Sequence, residues 1–345
     1  MVEFLNRYVA LGKEAANAYG TEVAPTTFGE VDDESFATRM DLLTRQDMSR
    51  PVVGKSVTGK EYSEGGYNMA VQLDEFLGNT LAAFFPKTDY DTTLTGAHSF
   101  FEPTLAANVY HSFTIDVGRE EKIHTYTGMV ANTLSVTASV GEYVMMSADF
   151  VGCREKASQA DISATAITFE GDALDALYFS NGTVLFDDGA GTVPAASASI
   201  KSVDFQVSLN PDTDNAMALG DSTYSSRPKM QRREVTGTVE FNKVLYGDQA
   251  LDEPDYTSLV ASKGLAYNDG TDPVMTLHFT EEDSPTDNYI KFKFYNIRWE
   301  APTSNVSGRD SQTMSVGFVA LYDNDKGCMD ITAKGGALGT TAFPL

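Results

Sequence analysis

Cysteine, histidine, tryptophan and positive charge are all scarce in this chain, and each shortage removes a class of function. The two cysteines among 345 residues, Cys153 and Cys328, cannot build a disulfide framework and read as buried thiols. The four histidines, His98, His111, His124 and His278, show no metal-ligand spacing with one another or with a cysteine. His111, His124 and His278 fall inside strand patterns, where an imidazole serves packing. One tryptophan, Trp299, is a poor supply of stacking platforms for a sugar, which argues against a glycoside hydrolase. Lys and Arg total 25 against 49 Asp and Glu, a formal net charge of −24. A general nucleic-acid binder carries a basic stripe, so a grip on phosphate is not expected. The acid excess suits solubility, or a surface that must not adsorb DNA. No apolar stretch is long enough to span a bilayer. No basic segment leads into an apolar run at the start, so the expectation is a soluble chain made in the cytoplasm.

Catalytic signatures are missing as well. There is no Gly-x-Ser-x-Gly elbow. Gly54-Lys55-Ser56 imitates the end of a phosphate loop, but Ser49 stands where that loop needs its first glycine. Asp323-Asn324-Asp325-Lys326-Gly327 lacks the spacing and distal Glu of a calcium loop and reads as a hairpin turn. Carboxylates are plentiful, yet nothing singles out an acid/base pair. The expectation is no enzyme, no cofactor and no metal.

What the chain does contain is β pattern. Leu134, Val136, Ala138 and Val140 alternate with Ser and Thr; Val144–Phe150, Val203–Leu209 and Ile290–Phe294 alternate in the same way, the mark of half-buried strands. Helical spacing is rare. Leu73, Phe76, Leu77, Leu81 and Phe84 form one apolar face that Pro86 ends, predicting a helix over 73–85. Residues 3–18 and the shorter stretch 255–263 offer further helical patterns. With 20 Phe and 16 Tyr, the chain can bury real cores, and its length suits roughly two domains at about 150 residues each.

The halves also echo one another. Ser49-Arg50-Pro51 and then Val57-Thr58-Gly59 recur as Ser226-Arg227-Pro228 and Val235-Thr236-Gly237. Later, Met146-Ser147-Ala148-Asp149-Phe150-Val151 resembles Met314-Ser315-Val316-Gly317-Phe318-Val319. A long period that occurs twice means duplicated domains rather than a solenoid. The expected organisation is an N-terminal arm at 1–25, a β-domain at 26–157, a connector at 158–198 and a second β-domain at 199–345.

The stretch Ala18-Tyr19-Gly20-Thr21-Glu22-Val23-Ala24-Pro25-Thr26-Thr27 resembles the opening of phage tail tube proteins. So does the order of motifs after it: a Val-Thr-Gly strand, a helix like Leu73–Phe85, then strands like Tyr126–Val140 and Glu142–Cys153. The resemblance implies a mainly β fold, here two tandem tail-tube-like sandwich or barrel domains, each flanked by one short helix. It implies a structural virion protein, found in the tail, whose rings stack into a tube that conducts DNA during ejection. A family ring holds six domains, so two domains per chain imply homotrimeric rings. The partners it implies are copies of the chain, other tail proteins such as the tape measure, tail terminator and distal tail protein, and DNA passing through the lumen. A virion or cell-surface adhesin of receptor-binding type is the alternative. Asp116, Asp149 and Glu240, on the polar sides of strands, are the candidate acidic residues of the lumen. Arg50, Pro51, Asn215, Arg227 and Pro228, in the long polar loops before each Val-Thr-Gly strand, are the candidates for contact between stacked rings.

Overall fold

The computed structural model describes residues 7–45, 55–90, 97–102, 110–162, 167, 169, 175–187, 195–196, 200–241, 274–281, 288–300, 303–305, 313–323, 326–335 and 338. The first half runs β1 (Tyr8–Lys13), β2 (Thr27–Gly29), β3 (Asp33–Glu34), β4 (Ala37–Arg45), β5 (Lys55–Ala70), α1 (Glu75–Phe84), β6 (Lys87–Tyr90), β7 (His98–Phe101), β8 (Phe113–Arg119), β9 (Lys122–Ser139), β10 (Met145–Gly152), β11 (Arg154–Glu155) and β12 (Ala160–Asp161). The second runs β13 (Gly182–Asp187), β14 (Ala195–Ala196), β15 (Ile200–Ser208), β16 (Pro211–Asp212), β17 (Lys229–Met230), β18 (Glu234–Phe241), β19 (Val274–Thr280), β20 (Tyr289–Phe294), β21 (Ile297–Trp299), β22 (Thr303–Asn305), β23 (Thr313–Ala320) and β24 (Met329–Lys334). The protein is mainly β. The expected helix forms as α1, where the Asp74 carboxylate caps the N–H of Leu77 at 2.7 Å. The helical pattern at 255–263 lies outside the described residues.

Residues 8–13 form a strand, not the start of a helix. β1 lies between β2 and β8, and Tyr8 to Leu11 are all buried. A strand covered on both faces shows a continuous apolar run instead of alternation, and a run this short fits either element. Just after it, the fully buried Glu14 carboxylate accepts from the backbone N–H of Gly20 and Gly128 and from the hydroxyls of Ser112 and Thr114, at 2.7–3.2 Å. Four donors on one buried carboxylate satisfy its charge without a cation.

One long antiparallel sheet runs through both halves. Its order is β4, β5, β10, β9, β15, β18, β23, then β21 and β22 end to end along the far edge of β23, with β3 continuing β4 along β5. A second layer covers the inner face of each half. In the first half it is β2, β1, β8 and the N-terminal part of β9, to which β11 and β12 add. In the second it is β14, β13, β19, β20 and β24, followed by β7 and β6 from the first half. The expected connector thus includes β13, a full partner of β19.

The pairing registers of the halves agree in detail. Met146 pairs with Val136 and Met69; Met314 pairs with Ser304 and Phe241. One shift carries both β10 onto β23 and β9 onto β22 (314 − 146 and 304 − 136 are both 168). It also carries Phe150↔Ala131 onto Phe318↔Trp299, beyond a one-residue slip that each pair of strands makes at the same place. The two Val-Thr-Gly triplets lie on corresponding strands, β5 and β18, but six residues out of register (235 − 57 = 178, against 241 − 69 = 172 set by pairing).

The aromatic cores agree too. Phe36 packs on Tyr126 at 5.6 Å and on Phe150 at 6.4 Å. Phe205 packs on Phe294 at 4.9 Å, and Phe294 on Phe318 at 5.5 Å. Because Phe294 is fully buried between two rings, Phe294→Ala should cost about 3–5 kcal/mol in equilibrium denaturation; a loss under about 1 kcal/mol would show that this cluster does not hold the second half together.

Candidate assembly interface

Among the described residues, strand pairing joins the halves at two places: β9 pairs with β15, and β7 of the first half pairs with β24 of the second. Side chains lock the junction. The Arg233 guanidinium donates to the carbonyl of Phe84 at the end of α1 and to the Tyr110 hydroxyl, lies 4.6 Å over the Phe85 ring, and sits 3.3 Å from the Glu102 carboxylate. Glu102 in turn accepts from the N–H of Cys328. Arg227 donates to the carbonyls of Tyr110 and Ala16. The segment between β15 and β18 therefore lies against the first half: Tyr224 stacks on Tyr62 at 6.3 Å, Glu61 N–H donates to the carbonyl of Ser222, and Lys60 pairs with Asp214.

The candidate residues for stacking fall into different surroundings. Arg50 and Pro51 lie outside the described residues. Asn215 is exposed and donates to Asp212. Arg227 is engaged within the chain, and Pro228 follows it before β17. The segment from Arg39 is the far part of the β4–β5 hairpin rather than an irregular loop, and it exposes Met40, Leu42, Leu43 and Val57.

The candidate acids separate as well. Asp149 and Glu240 share the outward face of the long sheet, opposite the buried Phe150 and Phe241. Asp204 joins them, on β15. Around them the face is rich in hydroxyls, among them Ser135, Thr137, Ser202, Thr236 and Thr238. Glu240 is held by Lys201 at 3.0 Å. Burial holds the Asp149 and Asp204 carboxyls above the usual range, Asp204 against an opposing hydrogen bond from Thr238. Asp116 belongs to the other layer, on β8, where it pairs with Ala10 and Thr125. Its carboxyl is also raised, first by burial, then by the charge of Glu22. Arg233–Glu102 has no sequence signal, because a buried ion pair between residues so far apart in the chain leaves no local pattern. Asp323 and Gly327 exchange backbone hydrogen bonds, the expected turn.

The family model for phage tail tube protein matches residues 5–320. The chain belongs to the phage tail tube protein family. This makes it a structural component of the virion tail, in a family that works as oligomers with other tail proteins. No curated protein matches it significantly. Among the described residues of this tail tube protein, no helix is long and apolar enough to cross a membrane.

With side chains only 10% and 9% exposed, Arg233 and Glu102 form a desolvated pair. Arg233→Met should strand the carboxylate and cost about 3–5 kcal/mol in denaturant titration, and adding Glu102→Gln should recover part of it. A cost below about 1 kcal/mol would remove the pair from the junction.

His111, beside Lys13 and Arg227, is pushed down to about 4, chiefly by burial. The unfolded imidazole takes up its proton near pH 6.5, before the folded one does, so the folded state loses stability as pH falls from about 6.5 towards 4. His111→Gln should flatten that part of the stability–pH curve; an unchanged slope would assign the acid loss to other groups.

Proposed function

We propose that the chain is a duplicated tail tube protein, that three copies close into a ring with six-domain pseudosymmetry, and that stacked rings form the conduit for DNA. The observation that carries this is the shared register of the halves: β4–β5–β10–β9 is followed across the sheet by β15–β18–β23–β22, with one shift relating two pairs of strands and the slip between them. The first unit then runs from β1 through β12 and the second from β13 through β24. A sheet made of two like units, joined in series and open at both ends, has no intrinsic stop, and closure into a ring removes its edges.

The outward face of the long sheet fits the lumen. It is polar, rich in short hydroxyl side chains, and carries Asp149, Asp204 and Glu240. The cations near it are engaged within the chain, Lys201 with Glu240, Arg39 with Glu64 and Lys60 with Asp214, which weakens any hold on phosphate, the inverse of counterion-release binding. The far part of the β4–β5 hairpin, with its exposed Met40, Leu42 and Leu43, suits contact with the next ring. Arg50 and Pro51 fall in sequence between these two strands. The ends of such a tube would meet the tape measure, terminator and distal tail proteins.

Native mass measurement and negative-stain microscopy of purified protein test the proposal. Rings of three chains, and tubes built from them, are the expected result. Six chains per ring would overturn the trimer, and a persistent monomer without rings would favour an adhesin. Replacing Asp149, Asp204 and Glu240 with lysine should leave tubes intact and slow DNA ejection, most at low salt, where attraction to phosphate is least screened. Ejection at the normal rate would return the acidity to a role in solubility.

A further inference from the structure

Both ends of the long sheet are strand edges to which no other strand pairs among the described residues: the outer edge of β3–β4 and that of β21–β22. The junction between the halves is made of the equivalent pieces. The shift that carries β9 onto β22 is 168 (304 − 136), and the one that carries β3 onto β15 is 169, because Asp33 pairs with Asn68 as Ser202 pairs with Glu240 (202 − 33 = 169; 240 − 68 = 172, the β5-to-β18 shift). This correspondence places Phe36 on Phe205, and both are buried rings of the aromatic core.

Inside the chain, Thr137 pairs with Asp204, Val136 with Phe205 and Ser135 with Gln206. We infer that a second copy of this chain docks on the β3–β4 edge through Thr303–Asn305, pairing Asn305 with Ser35, Ser304 with Phe36 and Thr303 with Ala37. The inference rests on the ring reading and specifies its joint.

The direction of the main-chain groups agrees. Lys201 accepts from the N–H of Val140, and Leu209 donates to the carbonyl of Asn132, so the odd-numbered residues of β15, Phe205 among them, face β9. On the free edge, Ser35 N–H donates inward to Gly66 at 2.9 Å, which turns the N–H and carbonyl of Phe36 outward. Both are capped by side chains in the lone chain. The N–H donates to the Glu34 carboxylate at 3.0 Å, and the carbonyl accepts from Arg119 at 2.6 Å and from the Tyr126 hydroxyl at 3.2 Å. Arg119 also grips Glu34 through two hydrogen bonds of 2.8 Å. Such a cap blunts an exposed edge against indiscriminate pairing. On docking, the main chain of Ser304 takes over both groups of Phe36.

Residues 35 and 37 turn their own main-chain groups towards β5, so 37 with 303, and 35 with 305, are non-hydrogen-bonded pairs, whose close approach suits a disulfide. Cysteines placed at these positions test the joint in the full chain. The native Cys153 and Cys328 are buried, with Cys328 pushed up to about 12, and stay out of the reaction. Assembled Ala37→Cys/Thr303→Cys protein, mildly oxidised and run on a non-reducing gel, should give covalent trimer at about tenfold the yield of Thr38→Cys/Thr303→Cys, whose cysteines point to opposite faces. Ser35→Cys/Asn305→Cys provides an independent pair should the first fail to fold. Rings that form without this cross-link, or that cross-link equally in the control, overturn the joint while leaving the ring intact. Failure of the unmodified protein to form rings overturns the ring reading and the joint together.

Discussion

Every strand that pairs on one side leaves a row of N–H and carbonyl groups on the other, and those groups need partners. Inside this chain the problem is met where β9 of the first half pairs with β15 of the second, across the middle of the long sheet. Sheet continuity, placement of the aromatic clusters and the position of the β15–β18 segment all follow from that contact. If the strands slipped by one residue, Phe205 would leave the core and Asp204 would enter it. The buried Arg233–Glu102 pair and the β7–β24 pairing hold the same junction from the second layer.

The same sheet separates two chemistries. Its inner face is apolar and aromatic, and carries the stability. Its outer face is polar, rich in hydroxyls and acidic, with Lys201 paired to Glu240. Family membership makes the protein a tail component, and this division of faces fits the proposed conduit, in which the core would bind the wall together and the exposed side would let DNA pass. The net charge of −24 is spread over both layers, as Asp116 shows by standing on β8, away from Asp149 and Glu240.

Much of this was legible in the sequence. The alternation at 134–140, 144–150, 203–209 and 290–294 becomes β9, β10, β15 and β20, and one apolar face with a following proline becomes α1. The Met-Ser repeat anticipated the shift of 168 that pairing gives. The two Val-Thr-Gly triplets stand on β5 and β18, six residues away from the shift that strand pairing sets, a difference that short matches along the chain do not reveal. Tyr8–Lys13 misled because burial on both faces erases alternation. Grouping Asp149 with Glu240 and apart from Asp116 depends on which layer each strand joins, and periodicity along one strand carries no such information. The caps on Phe36 depend on Arg119 reaching across layers, which no local pattern records.

In the proposed ring, the open edges of one chain complete the sheet of the next. Hydrogen exchange of the backbone amides, compared between free chain and assembled tubes, measures this directly. The amides of Ser304 and Phe36 should gain protection on assembly comparable to that of Val136 and Phe205, their counterparts at the internal junction. Tubes in which Ser304 exchanges as fast as in the free chain would contradict the account.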